Sequence, residues 1–240
     1  MIPEPSTVLV TGVGRRIGIG HAVATTLREA GWSVATSGWR GYDDRMSWGA
    51  DAAPLADFET DFADPDAPAA LVAAVTENVG PLRALVLCHC ESVDSSIHDT
   101  TVASFDRHMA VNARSIWLCI KAFAEQFPPN LAGLGRVVAF TSDHVVHNLP
   151  YGASKGALDR IVLAAAGELA PNGITANVIN PGATDTGWMD PEVTNVVLQR
   201  NLQPRVGVPH DAANLVRFLL SPDGGWINGQ TLYSDGGLRH

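Results

Sequence analysis

The sequence predicts a single α/β domain of the doubly wound type, with a parallel sheet of about seven strands between layers of helices. Three observations carry that expectation. Short apolar runs rich in β-branched residues alternate with helix-like patterns from end to end, the signature of parallel strands joined by helical crossovers. The runs are continuously apolar rather than alternating, as strands covered on both faces must be. The chain has 240 residues, 46% hydrophobic and 17% charged, which suffices for one large core.

The elements follow in order. Residues 7–11 (TVLVT) read as a short buried strand running into glycines. Residues 20–30 are a helix stopped by Gly31, because glycine accepts the left-handed backbone that ends helices. Residues 33–37 (SVATS) are a second strand, and a third is expected near 55–60. Between them the polar stretch 39–54 (WRGYDDRMSWGADAAP) reads as an irregular excursion. Residues 67–79, rich in Ala and Val, are a helix, and 83–88 (RALVLC) a fourth strand. One long helix is expected within 101–127, stopped by Pro128 and Pro129, which lack the N–H a helix needs. Strands at 136–141 (RVVAFT), 174–180 (ITANVIN) and 230–233 complete the sheet, with helices at 151–170 and 211–220. No internal repeat, low-complexity tract or linker breaks this pattern, so residues 1–240 are expected to be one Rossmann-type domain. Ligands of such a domain gather at the carboxyl ends of the strands.

Composition excludes several function classes. A net charge of −9 argues against a nucleic-acid surface, which needs clustered Lys and Arg. No apolar run approaches the roughly 20 residues of a membrane span. The opening MIPEPSTVLVTG has no basic segment followed by an apolar one, so no secretion signal is expected. Cys88, Cys90 and Cys119 are an odd, sparse set, unlike a disulfide framework, and a reducing cytoplasm is the expected location.

Residues 11–20 (TGVGRRIGIG) lie between the first strand and the first helix. Glycines there let the backbone turn tightly and approach a pyrophosphate, and the helix N-terminus offers unpaired N–H groups. Enzymes that use NAD usually place an acid at the end of the second strand, on the ribose hydroxyls. Here Gly38 and Trp39 stand in that place and Arg40 follows, while Arg15 and Arg16 lie in the glycine loop. Guanidinium groups suit a 2′-phosphate, so NADP(H) is expected, with NAD(H) the alternative.

Tyr151 and Lys155 are four residues apart at a helix start and share a face. A free phenol titrates near 10 and is a poor acid–base group at neutral pH. A nearby ammonium favours the phenolate, so Tyr151 is expected to be acidic enough to exchange a proton with a carbonyl or alcohol oxygen. Ser142 closes the preceding strand and could hold that oxygen.

These pieces resemble the short-chain dehydrogenase/reductases, and in particular the 3-oxoacyl-acyl-carrier-protein reductase-like members. The matching segments span nearly the whole chain: TGVGRRIGIG, Asp61 of TDFADP, MAVNARS, the strand-end TS, YGASK, NPGATDT and INGQTLYSDGG. The resemblance implies a catalytic set of Asn112, Ser142, Tyr151 and Lys155. Asn112 would hold a water of a proton relay, Ser142 would orient the carbonyl, and Lys155 would bind the nicotinamide ribose as well as tune Tyr151. Gly12, Arg15, Gly18, Ile19, Gly20 and Arg40 would meet the cofactor, Asp61 and Phe62 would flank the adenine, and Cys88 and Cys90 would lie against the adenosine. Pro181, Gly182, Thr184 and Thr186 would border the nicotinamide and phosphates. The implied partners are a carbonyl or alcohol substrate and further copies of the chain, as a homodimer or homotetramer. The segment 184–208 would be the substrate lid, with Trp188, Met189, Val193, Val196 and Val197 as an apolar wall suited to a small ketone or a 3-oxoacyl group.

The chain departs from the family in four places. The glycine loop is longer than the family's, with the extra residues among 13–17; a rival register takes Gly12, Arg16 and Gly18. The family's NNAG is LCHC here, at 87–90. Cys88, His89 and Cys90 as metal ligands would have the wrong spacing for zinc, and no metal is expected. Ser142 lies nine positions before Tyr151, a shortened loop carrying His144 and His147, with Asp143 as a fallback partner for the tyrosine. The stretch 39–48 is long for its place and could cover the adenosine end, or its two tryptophans could pack over the core. A non-catalytic dinucleotide sensor on the same fold is the rival function, and a structural oligomer without cofactor a third.

Overall fold

In the computed structural model, which describes residues 7–239, seven strands lie parallel in one sheet. Their spatial order is β3 (Phe58–Glu59), β2 (Ser33–Gly38), β1 (Thr7–Thr11), β4 (Leu82–Leu87), β5 (Gly135–Phe140), β6 (Ile174–Asn180) and β7 (Thr231–Tyr233). Registers run Val8↔Val34 between β1 and β2, Leu9↔Leu85 between β1 and β4, and Ala139↔Val178 between β5 and β6.

The continuous apolar strands have the expected cause. In β1, Leu9 points into one core and Val8 and Val10 into the other, and all three are fully buried. The first core takes Val72 of α3 (Ala67–Asn78), Ile116 and Phe123 of α5 (Ser115–Gln126) and Leu158 of α6 (Leu149–Glu168). The second takes Val23 and Leu27 of α1 (Ile19–Glu29) and Val216 and Leu219 of α8 (Pro209–Leu220). A strand with helices on both faces has no side left for polar residues.

Four details differ from the sequence-based expectation. The third strand shrinks to two residues. The excursion after β2 contains a short helix, α2 (Arg40–Asp43). The long helix is α4 (Val102–Met109) and α5 separated by a wide π turn over Ala110–Arg114, a break that a 3.6-residue period cannot signal. The lid segment contains α7 (Pro191–Arg200), whose first turn is capped by Asp190 accepting from the Val193 N–H at 2.8 Å.

β1 leads to β2 on one side, while β4 lies on the other. The loops after β1 and β4 therefore part at their carboxyl ends, and this switch point opens a crevice.

Candidate active site

The crevice is shaped by two close backbone approaches. At Gly12 the chain turns with φ +74°, and a Cβ there would stand 2.6 Å from the Cys88 carbonyl carbon and the His89 nitrogen. A Cβ on Gly20 would stand 2.5 Å from the Gly12 oxygen. Glycine at both positions is therefore steric necessity. Gly18 caps α1 with extended backbone and no side-chain cap, leaving the first-turn N–H groups facing the cleft. The cleft holds about 210 Å³, lined by Gly12, Arg15, Gly18, Ile19 and Gly20 on one side and Asp61, Phe62, Cys88, Cys90 and Val111 on the other, with Thr186 from the lid segment.

Arg40 lies beside the cleft: its Nη1 donates to the Asp51 carbonyl at 2.8 Å, and it lines an adjoining groove that shares Gly14, Gly38 and Trp39 with the cleft. Thr184 also turns into its own loop: it is buried and donates to the Pro181 carbonyl at 3.1 Å. Gly182 has φ +61° against Asp235, in the same turn as Pro181.

The excursion supplies residues that sequence reasoning missed. Trp39, Tyr42 and Asp43 line the cleft. Asp43 is 5% exposed; Trp48 Nε1 donates to its Oδ1 at 3.0 Å and Arg15 Nε lies 3.4 Å away. Burial holds the Asp43 carboxyl above its ordinary range, against the pull of Trp48 and Arg15. Tyr42 donates to the Ser92 carbonyl at 3.2 Å. Arg45 and Arg107 converge on the buried Glu91 carboxylate at 2.8 and 3.1 Å, and Arg107 also reaches Asp61 at 3.2 Å. Both guanidiniums face the Trp39 ring. The mixture of aromatic and charged residues in WRGYDDRMSW was the available signal.

The LCHC segment is explained by His89. The ring is buried and stacked on Phe62 at 3.8 Å, with Nδ1 2.6 Å from Thr11 Oγ1 and Nε2 2.8 Å from Ser115 Oγ. Ser115 spends its hydroxyl proton on the Val111 carbonyl, so Nε2–H donates to Ser115 and Nδ1 accepts from Thr11. Burial holds this neutral form down to about pKa 3. His89 thus pins the end of β1 to the start of α5. Among the described residues no group of three such side chains stands ready for a metal.

Outside the residues that line the cleft, Lys155 is 2% exposed and Nζ donates to the Phe140 carbonyl at 2.7 Å. The ammonium lies 5.6 Å from the Tyr151 ring centroid. Burial lowers the Lys155 pKa; the thiols of Cys90 and Cys88 work the other way. Burial raises the Tyr151 phenol, Cys90 adds to the rise, and a hydrogen bond with Ser142 opposes it. The ammonium is turned to the strand-end carbonyl, and burial sets the direction of the Tyr151 shift. In the short loop, Ser142 Oγ accepts from the His144 N–H at 3.1 Å. Asp143 pairs instead with Arg239 at 3.3 Å, and His144 and His147 are exposed. Asn112 sits in the π turn, accepting from the Glu91 N–H at 2.7 Å and donating to the Glu91 carbonyl at 2.8 Å and Ser154 Oγ at 2.9 Å. It joins the loop after β4 to the helix that carries Tyr151.

Comparison with known proteins gives concordant results. The model of a family described as enoyl-(acyl carrier protein) reductase matches residues 12–239. An uncharacterized oxidoreductase, YjdA, of Bacillus subtilis is 30% identical over 253 residues, covering 98% of this chain and 97% of the relative. A short-chain dehydrogenase/reductase of Armillaria gallica is 30% identical over 261 residues, 99% of this chain and 97% of that one. The crystal structure of a short chain dehydrogenase from Burkholderia cenocepacia J2315 in complex with NADP aligns with TM-score 0.83 at 30% identity over 98% of both chains.

Proposed function

The chain belongs to the short-chain dehydrogenase/reductase family, and on that premise we propose an NADP(H)-dependent oxidoreductase that moves hydride between the nicotinamide and a carbonyl or alcohol carbon. A small apolar ketone or a 3-oxoacyl group is the substrate class. One observation carries the reading: a glycine-walled cleft opens at the switch point of the sheet, where Gly12 and Gly20 leave room for a dinucleotide that any Cβ would take away. The family neighbour of Burkholderia cenocepacia in complex with NADP supports the choice of dinucleotide.

The residues present fit such a cofactor. Gly12 and Gly20 leave a cradle that a Cβ would fill, and the bare first turn of α1 suits a pyrophosphate. NADP(H), when bound, supplies or accepts the hydride. The remaining work falls to the chain. Gly18 and Ile19 would present backbone N–H groups to the phosphates, Arg15 would face the 2′-phosphate, and Asp61 and Phe62 would flank the adenine. Cys88 and Cys90 would close the adenosine side, and Pro181, Gly182, Thr184 and Thr186 would border the nicotinamide end. Lys155 would hold the nicotinamide ribose, and Ser142 would orient the substrate oxygen. The Tyr151 phenol, protonated at neutral pH, would donate to the alkoxide that develops as a carbonyl is reduced. The π turn at Asn112 would position a relay water.

The segment 184–208 would act as the substrate lid, with Trp188 and Val196 exposed on it. A homodimer or homotetramer completes the reading, since Trp117 on α5 and Trp226 before β7 remain 51% and 98% exposed. Three free cysteines suit a reducing cytoplasm.

Purified protein should oxidise NADPH in the presence of a panel of ketones and 3-oxoacyl esters. Binding of NADPH without turnover on any of them would replace the enzyme with a sensor.

A further inference from the structure

The sequence offers three arginines to a 2′-phosphate: Arg15, Arg16 and Arg40. Only Arg15 lines the cleft. The Arg16 side chain is exposed, and Arg40 is held by the Asp51 carbonyl. Arg15 is itself engaged. Its Nε lies 3.4 Å from Asp43 Oδ1, and its guanidinium stacks 4.5 Å above the Trp48 ring.

Asp43 is built into this place. Its side chain is 7% exposed, and Trp48 Nε1 holds Oδ1 at 3.0 Å. Its other oxygen lies so close to the glycine loop that a Cβ on Gly14 would collide with it. The end of β2, at Gly38 and Trp39, carries no acid. The carboxylate at the ribose end of the cleft comes from α2 instead.

We propose that Asp43 sets dinucleotide selectivity by competing with the 2′-phosphate of NADPH for Arg15. The inference rests on the dinucleotide reading above and deepens it. A 2′-phosphate arriving at Arg15 meets a carboxylate of its own sign, which it must displace. Removing one partner of a buried ion pair leaves the other uncompensated, so Asp43 yields Arg15 only as the phosphate replaces it. The ribose of NADH carries hydroxyls there, which donate to a carboxylate and displace nothing. Asp43 therefore weakens NADPH relative to NADH, and the natural chain discriminates less than Arg15 alone would allow.

The test is calorimetric titration of NADPH and NADH into the natural protein, Asp43→Asn and Trp48→Phe. Asp43→Asn should raise the ratio of NADPH to NADH affinity by about tenfold, the removal of one like charge at short range. Trp48→Phe loosens the carboxylate without removing it and should raise the ratio by about twofold, the loss of one weak hydrogen bond. Trp48→Phe carries the test alone if Asp43→Asn does not fold. An unchanged or lower ratio overturns the inference, including the case in which both dinucleotides weaken equally because Asp43 only anchors the excursion. Natural protein that binds neither dinucleotide overturns the cofactor reading itself, and this inference with it.

Discussion

The two ends of the site are built by different means. At one end, outside the residues that line the cleft, Ser142 comes from the loop after β5 and Tyr151 and Lys155 from α6. At the other, Trp39, Tyr42, Asp43 and Arg45 come from a chain excursion held down by distant partners. Arg45 reaches Glu91 across 46 positions, and Arg107 reaches Asp61 across another 46. The first end is fixed by strand and helix geometry, with a buried lysine tied to the strand itself. The second is fixed by ion pairs and ring contacts. On the proposed function, proton transfer would fall to the end tied to strand and helix, and selection of the cofactor to the end held by ion pairs.

The sharpest break in this comparison is Tyr151→Phe. The variant keeps the ring beside Lys155 and removes only the proton donor. Turnover should fall by about a thousandfold, within the usual range for a lost general acid, while NADPH affinity changes by less than about twofold, since no cofactor contact at the far end is touched. Steady-state rates with matched calorimetry check both. Retained turnover would place the proton transfer elsewhere.

Between the two ends His89 pins β1 to α5, and its effect is on stability. Its folded pKa of about 3 lies below the unfolded value near 6.5. As pH falls, the unfolded chain takes up the proton first. The contribution is complete above about pH 6.5 and is lost below it, at about 1.4 kcal/mol per pH unit. Between pH 6.5 and 5 this residue alone should remove about 2 kcal/mol of unfolding free energy. Urea denaturation at the two pH values measures it. In His89→Gln, which keeps one donor and one acceptor for Ser115 and Thr11, that part of the loss should vanish. Equal losses in both proteins would show that the ring is not held neutral.

How much of this was legible follows from the same contrast. The seven strands, their parallel direction and the helices on both faces could be read, because continuous apolar runs between helical patterns admit few arrangements. So could the tight turn at Gly12 and the close approach at Gly20, because the glycine pattern lies within a few residues. The π turn at Asn112 could not, because it answers to hydrogen bonds with Glu91 and Ser154, far along the chain. Asp43 could not either: the acid was sought at the end of β2, and the fold delivers it from five residues further on. Nor does spacing give the Tyr151 pKa: it shows that two side chains share a face, while burial sets the direction of the shift.

The smallest effect separates two arginines that look alike in sequence. Arg15 lines the cleft and Arg40 does not. Arg15→Ala should raise the Michaelis constant for NADPH by about tenfold, the loss of one charge-assisted hydrogen bond, and leave that for NADH within about twofold. Arg40→Ala should move neither constant by more than about twofold, since its side chain donates to the Asp51 carbonyl and does not line the cleft. A selective loss of NADPH on removing Arg40 would mean that α2 unwinds when the dinucleotide enters, and that the adjustable end rearranges further than its ion pairs suggest.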